Sequence, residues 1–233
     1  MELLFPANWL SFLTQHDPAF TEKLNRCLSL VEKDRQEGHT VYPEADRICA
    51  AFDAVAPEDV RVWLQGQDPY PGTFKTADGQ SLPFAMGLSF SVPKQARLPP
   101  TLQNIFKELE SDLCKQRPSH GDLSAWASQG VLLANAQLSV RAGMPNSHKA
   151  FGWDEVMQSI CHALSRTRPM AFILWGNNAQ ALEHWIVNPE HHCIIKSSHP
   201  SNMGGSSKRF FGTKPFSRAN AFLKEAGFPE IDW

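Results

Sequence analysis

Short apolar runs alternate along this chain with amphipathic segments whose apolar positions recur every three or four residues. β-Branched and aromatic residues in four of the runs are typical of buried strands. We therefore predict strands at Val60–Leu64, Gly130–Leu138, Met170–Trp175 and Cys193–Lys196. The amphipathic segments predict helices that begin at Asn8 and Asp17, and others over Pro43–Val55, Thr101–Leu109, Leu123–Ser128, Trp153–Leu164, Asn178–Trp185 and Phe216–Ala226.

The alternation of strands and helices indicates the fold class. Strands joined through helices run parallel to one another, with right-handed crossovers. We predict an α/β fold with a central four-stranded parallel sheet and helices on both faces. The polar stretch Phe74–Ala85 is expected to be an irregular loop. A length of 233 residues suits one well-buried domain better than two, so residues 1–233 are expected to form a single domain.

Polar residues stand at or just after the end of each predicted strand. They are Gln67-Asp68, Asn135, Gly176-Asn177 and the segment Ser197–Ser201. Ligands of parallel sheets bind at the carboxyl ends of the strands, so these four segments are expected to meet at one rim. Taken alone, a buried asparagine at a strand end could instead tie the strand to a neighbouring loop.

The loop Gly66–Gly72 is stiffened by two prolines. Pro69 and Pro71 disfavour helical backbone at the residues before them, Asp68 and Tyr70. The orientations of both side chains are therefore restricted even without a ligand, and such preorganisation favours a binding or catalytic site. A plain turn from strand to helix, with an aspartate as helix cap, is the alternative for this segment.

Charge does not by itself indicate a nucleic-acid partner, because the net charge is -2 and the pI is near 6.5. Lysine and arginine are nevertheless concentrated between Lys196 and Lys224. This basic segment is compatible with DNA contact and equally with an ordinary solvated surface.

The five cysteines are widely spaced and include no C-x-x-C pair, which argues against a disulfide framework, a zinc ribbon or an iron–sulfur cluster. No apolar run is long enough to cross a membrane, and the amino terminus lacks the pattern of a secretory signal. We therefore expect a cytoplasmic protein that does not associate with membranes.

The chemistry of the rim excludes several enzyme classes. The chain has no G-x-S-x-G elbow and no glycine-rich phosphate loop. A metal site at His191-His192-Cys193 is disfavoured because adjacent residues of a strand point to opposite faces. An aromatic ring, an amide, a histidine and a carboxylate together suit a flat polar ligand, and a nucleobase fits that description.

Five segments, in order, resemble the signature segments of the family 1 uracil-DNA glycosylases. They are G-Q-D-P-Y-P-G from Gly66, F-S-V from Phe90, G-V-L-L-A-N from Gly130, H-P-S from His199 and R-F-F-G from Arg209. The resemblance implies the family's four-stranded fold and a monofunctional glycosylase that hydrolyses the N-glycosidic bond of deoxyuridine in DNA. Such an enzyme flips the nucleotide out of the duplex, releases uracil and leaves an abasic site.

The resemblance also implies roles for individual residues. Asp68 would orient the attacking water and stabilise the cationic sugar, and His199 would hydrogen-bond uracil O2. Asn135 would pair with uracil N3–H and O4, while Phe90 would stack on the base. Two further residues would complete the uracil site: Tyr70, beside C5, where it excludes the methyl group of thymine, and Gln67, at O2.

Several residues implied to contact DNA depart from the family's usual pattern. Met203 stands where a leucine usually wedges into the base stack, and Gly204 replaces the following serine. Pro71 replaces a common histidine, and Thr101 replaces a serine. The full set implied to contact DNA is Pro71, Thr101, Ser201, Met203, Gly204, Ser206, Lys208 and Arg209.

The resemblance implies no cofactor and no metal, a monomer, and uracil-containing single- and double-stranded DNA as substrate. A protein inhibitor that mimics uracil or DNA is a further expected partner. Two alternatives remain from the sequence: a noncatalytic DNA-binding or scaffold relative of the same fold, and a hydrolase of free nucleosides.

Overall fold

A computed structural model describes residues 5–201 and 209–233. Its helices are α1 (Ala7–His16), α2 (Phe20–Gln36), α3 (Ala50–Asp53), α4 (Pro100–Leu113), α5 (Ser124–Ala127), α6 (Trp153–Thr167), α7 (Gly176–Gln180) and α8 (Pro215–Glu225). Its strands are β1 (Val41–Tyr42), β2 (Val62–Gly66), β3 (Thr73–Lys75), β4 (Ser81–Pro83), β5 (Val131–Asn135), β6 (Val140–Arg141), β7 (Ala171–Trp175) and β8 (Cys193–Ser197).

The central sheet contains four parallel strands in the order β5-β2-β7-β8. Every residue of β2, β5 and β7 is buried, as their nearly continuous apolar sequences require in a sheet covered on both faces. The edge strand β8 is less buried and carries the exposed Lys196. The predicted four-stranded parallel sheet is confirmed, with each strand at its expected place in the chain.

Helices surround this sheet and bury its apolar side chains. α8 packs against β7 and β8, while α3 and α5 contact β5. α1 and α2 lie against α6, and α4 packs against α8. Large aromatic residues, including Trp63, Phe106, Trp153 and Trp175, are completely or almost completely buried between these layers. No helix in the described parts of the chain combines the length and apolar character needed to cross a membrane.

Two predicted helices are shorter than their sequence patterns indicate. The segment Pro43–Val55 divides into a 3-10 turn, Ala45–Arg47, and the short α3. A tertiary contact accompanies this break: a Cβ atom on Gly87 would lie 2.0 Å from the Arg47 carbonyl oxygen, so a distant loop passes directly against this turn. The second segment, Asn178–Trp185, is mostly a 3-10 turn that follows α7.

The stretch Phe74–Ala85 is not wholly irregular, because β3 and β4 form an antiparallel hairpin within it. Phe74 is buried between two exposed neighbours, which is the alternation of a strand with one face on the core. Only three residues contribute to each strand, too few for the sequence pattern to be distinguished from a loop.

Candidate active site

A pocket of about 310 Å³ opens where the carboxyl ends of β2 and β5 meet the segment that follows β8. Its lining includes nine of the residues singled out by sequence: Gln67, Asp68, Tyr70, Pro71, Phe90, Thr101, Asn135, His199 and Ser201. The convergence expected from a parallel sheet therefore brings together a carboxylate, a histidine, an amide and two aromatic rings.

The Asp68 carboxylate is held at both of its oxygens. The backbone N–H of Asn146 donates to Oδ2 at 2.7 Å, and the Gln67 side chain donates to Oδ1 from Nε2 at 3.1 Å. The Gln67 Oε1 atom in turn accepts a hydrogen bond from Asn178. These contacts give the half-buried carboxylate one orientation at the pocket wall.

The ring of His199 has a defined tautomer. Its Nδ1 atom accepts the backbone N–H of Ser201 at 3.1 Å, so a neutral ring carries its proton on Nε2. Burial lowers the pKa of His199, which favours that neutral form at pH 7. The turn is anchored from α4, since Asn104 donates to the Pro200 carbonyl at 2.7 Å. His199 therefore offers an N–H donor to a ligand.

Asn135 ends β5 and is 6% exposed. It lies opposite Gly66 on β2, and a Cβ atom on Gly66 would lie only 2.0 Å from the Asn135 Oδ1 atom. The glycine therefore makes room for the amide. Within residues 5–201 and 209–233, the Asn135 amide has no protein hydrogen-bond partner, which leaves a donor and an acceptor for a ligand.

The Phe90 ring lines the pocket and packs against the core. Its centroid is 5.4 Å from that of Trp175, in an edge-to-face arrangement, and 6.4 Å from that of His199. The backbone of Phe90 has a φ of 62°, a strained value for a non-glycine residue and one that is often found at functional sites. Ser89 supports this geometry by donating its N–H to Leu133 O at 2.9 Å and its Oγ–H to Leu64 O at 3.1 Å.

Tyr70 contributes an aromatic ring to the pocket wall. The ring packs edge-on against Phe84, with centroids 6.2 Å apart. In the part of the chain that the structure describes, the buried Tyr70 hydroxyl has no hydrogen-bond partner, and burial raises its pKa. The phenol therefore stays neutral, and Tyr70 serves as a wall of the pocket.

Comparison with known proteins identifies the family. A family model described as the Uracil DNA glycosylase superfamily matches residues 52–224. The chain belongs to the uracil-DNA glycosylase superfamily. A uracil-DNA glycosylase of Alkaliphilus oremlandii is 45% identical to it and aligns over 100% of this chain and 98% of its own length. A uracil-DNA glycosylase of Bacillus cytotoxicus is 43% identical, over 93% of this chain and 92% of its own. The resemblance drawn from the motifs is confirmed.

Solved structures of the uracil-DNA glycosylase family share the fold. The mimivirus uracil-DNA glycosylase superposes with a TM-score of 0.83 at 26% identity, over 100% of this chain and 88% of its own. A variant of the mimivirus protein in complex with UGI gives a TM-score of 0.84, again at 26% identity, over 100% of this chain and 90% of its own.

The structure does not test the DNA contacts predicted for five residues of this uracil-DNA glycosylase superfamily member. Met203, Gly204, Ser206 and Lys208 lie outside the described residues. Arg209 is described and exposed, but it is not part of the pocket wall. The DNA contacts assigned to these residues from the resemblance stay predictions.

Asn146 is a contributor to the site that sequence reasoning missed. It acts through its backbone N–H, which every residue except proline possesses, so its residue type carries no signal. Its φ of 62° suits asparagine, which tolerates that region better than most residues do, but this conformation is visible only in the structure. The Met144–Asn146 stretch also brings Pro145 to the pocket wall.

Removing the Tyr70 ring is expected to admit thymine to this pocket. Tyr70→Ala should release thymine from DNA at a measurable rate, because the space beside the base would accept a methyl group. Tyr70→Phe is the matched control: it keeps the ring, removes a hydroxyl that has no hydrogen-bond partner within residues 5–201 and 209–233, and should exclude thymine as the wild type does. Thymine release is measured by chromatography after incubation with thymine- and uracil-containing oligonucleotides. If Tyr70→Ala excluded thymine as well as Tyr70→Phe does, the Tyr70 ring would not be the group that excludes the methyl group of thymine.

Proposed function

We propose that this protein hydrolyses the N-glycosidic bond of deoxyuridine in DNA, releasing uracil and leaving an abasic site for base-excision repair. One observation carries the proposal: a fixed Asp68 carboxylate, the Nε2–H side of His199 and the Asn135 amide, which has no hydrogen-bond partner among the described residues, line one pocket. At about 310 Å³ the pocket is large enough for a single base. A base inside duplex DNA reaches such a pocket only after the nucleotide is flipped out of the stack.

In the proposed reaction the bond between the sugar C1′ and the uracil N1 breaks first. Its electron pair leaves with the base, so negative charge grows on uracil O2 while the sugar becomes an oxocarbenium ion. His199 donates its Nε2–H toward O2, and the Asp68 carboxylate stabilises the sugar cation. Water then attacks C1′ and gives its proton to Asp68, from which the proton passes to solvent or to the departing base.

The Asn135 amide accounts for the choice of uracil. Its oxygen accepts the uracil N3–H, and its nitrogen donates to O4. Cytosine presents the opposite pattern, an acceptor at N3 and a donor at N4, so both contacts would be lost. Because Asn135 is buried, an unmatched amide could not turn to water for replacement hydrogen bonds.

Replacing Asn135 with aspartate is expected to admit cytosine. A carboxylate accepts the cytosine N4 donor, so Asn135→Asp should release cytosine from DNA and lose most of its rate on uracil. Asn188→Asp is a matched control, since Asn188 is exposed and does not line the pocket. Release of both bases is measured under single-turnover conditions. If Asn135→Asp released cytosine no faster than the wild type does, Asn135 would not be the residue that selects uracil over cytosine.

The proposed enzyme is monofunctional. No lysine occurs among the described residues that line the pocket, so none of them offers an amine that could attack C1′ and cleave the strand. Hydrolysis by water, with the abasic site left intact, is the outcome that these residues support.

An assay on three substrates tests the proposal against its alternatives. We expect uracil release from single-stranded and double-stranded uracil-containing DNA, and little or none from free deoxyuridine. Release from free deoxyuridine alone would indicate a nucleoside hydrolase. DNA binding without release from any substrate would indicate a noncatalytic relative.

We further propose that the protein acts as a cytoplasmic monomer and that a DNA-mimicking or uracil-mimicking protein binds this pocket. A variant of the mimivirus uracil-DNA glycosylase was crystallised in complex with UGI, which supports testing UGI here. Loss of uracil release on addition of UGI, together with a complex seen by size-exclusion chromatography, would support this partner. Full activity in excess UGI would exclude it.

A further inference from the structure

A carboxylate that does not line the pocket lies at the centre of a buried polar cluster. Asp34, on α2, is 3% exposed and accepts hydrogen bonds from two nitrogens of the Arg141 guanidinium. Arg141 Nε lies 3.0 Å from Oδ1 and 2.9 Å from Oδ2, and Arg141 Nη2 donates to Oδ1. The Nε2 atom of His148 lies 3.2 Å from the Asp34 Oδ2 atom. Arg141 holds the pKa of Asp34 below its usual range, so the group is an anion.

The hydrogen bonds around His148 define which of its nitrogens carries the proton. Trp153 donates its indole N–H to Ser139 Oγ at 2.9 Å, and Ser139 Oγ lies 2.8 Å from His148 Nδ1. With its oxygen accepting from Trp153, the Ser139 hydroxyl donates to Nδ1, and the histidine proton is on Nε2, directed at Asp34. Burial lowers the pKa of His148, which favours this neutral ring.

The two partners of Asp34 stand at the two ends of one chain segment, residues 141–148. A single carboxylate therefore holds both the beginning and the end of this segment. Inside it, the Arg141 N–H donates to Ser147 Oγ at 2.8 Å, and the Met144 N–H donates to the Arg141 carbonyl at 3.1 Å. These bonds give the segment one shape.

The same segment supplies two of the backbone donors that hold the loop Gly66–Gly72. The Asn146 N–H donates to Asp68 Oδ2 at 2.7 Å, and the Gly143 N–H donates to the Pro71 carbonyl at 2.8 Å. The Asn146 side chain is also fixed, because its Oδ1 accepts from Gln137 at 3.2 Å. A shift of residues 141–148 would therefore move the Asp68 carboxylate.

We propose that Asp34 is a positioning residue for uracil excision: by holding both ends of residues 141–148, it places the Asn146 N–H that orients the Asp68 carboxylate toward the sugar. The inference rests on the proposed function, because it requires Asp68 to stabilise the sugar cation. Asp34 itself touches neither substrate nor reacting atoms.

The test uses Asp34→Asn, which keeps the shape of the side chain and removes its charge. We expect kcat to fall by roughly 10- to 100-fold with KM within about twofold of wild type, because displaced catalytic groups slow the reaction without weakening DNA contacts. Binding of two duplexes supplies a second measurement. One contains a cationic pyrrolidine in place of the sugar, and the other contains a neutral tetrahydrofuran.

The wild type should prefer the cationic duplex, since a fixed Asp68 carboxylate faces the charge. Asp34→Asn should lose about tenfold or more of this preference while it binds the neutral duplex normally. Asp17→Asn is the matched control: Asp17 bonds Lys23 at 2.7 Å and Ser159 at 2.6 Å near the start of α2, and has no contact with residues 141–148. It should keep the wild-type rate and preference.

Ser147→Ala covers the case in which Asp34→Asn does not fold. It removes the acceptor of the Arg141 N–H without leaving a buried charge unpaired, and it should reduce kcat and the cationic preference in the same direction. Suppose that the wild type releases uracil, but Ser147→Ala and any folded Asp34→Asn still prefer the cationic duplex as strongly as the wild type does. That result would overturn the positioning role of Asp34 and leave the proposed function intact. Absence of uracil release by the wild type and by Asp17→Asn would instead overturn the proposed function.

Discussion

Replacing Asp68 with asparagine is expected to lower the single-turnover rate of uracil release by about 10³-fold, while DNA binding is retained. The substitution keeps the size of the side chain and removes the negative charge that we propose stabilises the sugar cation. Electrostatic stabilisation of a transition state commonly contributes a factor of this size. The reaction is followed by release of labelled uracil from duplex DNA with enzyme in excess. DNA binding is measured with a duplex that contains tetrahydrofuran at the target site.

Asp78→Asn provides the control for the Asp68 experiment. Asp78 is an exposed carboxylate in the turn between β3 and β4 and does not line the pocket, so its loss should leave the rate unchanged. A near-normal rate in Asp68→Asn would refute the catalytic assignment. An equal loss of binding to tetrahydrofuran DNA would show that Asp68 contributes to DNA binding rather than to the chemical step.

Replacing His199 with alanine is expected to lower the single-turnover rate of uracil release by roughly 10²- to 10³-fold. The proposed hydrogen-bond donor to the negative charge that develops on uracil O2 would be lost. Burial lowers the pKa of His199 below 6.5, so the neutral ring is already the main form at pH 6.5 and remains so as the pH rises. The ratio of wild-type to variant rates should therefore stay constant between about pH 6.5 and about pH 8.

His191→Ala is the matched control for His199, since His191 is an exposed histidine near the start of β8. It should leave both the rate and its pH dependence unchanged. A ratio for His199→Ala that collapses toward one as the pH rises through 6.5 would mean that the protonated ring is the active form, contrary to the neutral tautomer described above.

The sheet could be predicted from sequence because its signal is local and strong. In β5 and β7, apolar residues follow one another with almost no interruption, as in strands buried on both faces. The hairpin of β3 and β4 and the broken helix after Pro43 were predicted wrongly. Their patterns are short, and contacts from distant residues, such as Gly87 against Arg47, decide the backbone there.

The site could be predicted in part for a related reason. Asp68, Asn135 and His199 stand at strand ends, where residues far apart in sequence converge in any parallel sheet. Their chemical types and the motifs around them then indicate a nucleobase. The DNA-contact predictions at Met203 and Gly204 lie outside the described residues and are still to be tested.

Apolar periodicity and motif residues, which are visible without coordinates, were enough to predict the four strands of the central sheet, the family, and the presence of Asp68, Asn135 and His199 at the rim. How those side chains are held could be seen only in the tertiary structure. The Asn146 N–H on Asp68, the room that Gly66 leaves for Asn135 and the hold of Asp34 on residues 141–148 all depend on non-local contacts. A backbone N–H group or a glycine contributes to a site only through the residue that the fold places next to it, and that neighbour cannot be identified from the local sequence.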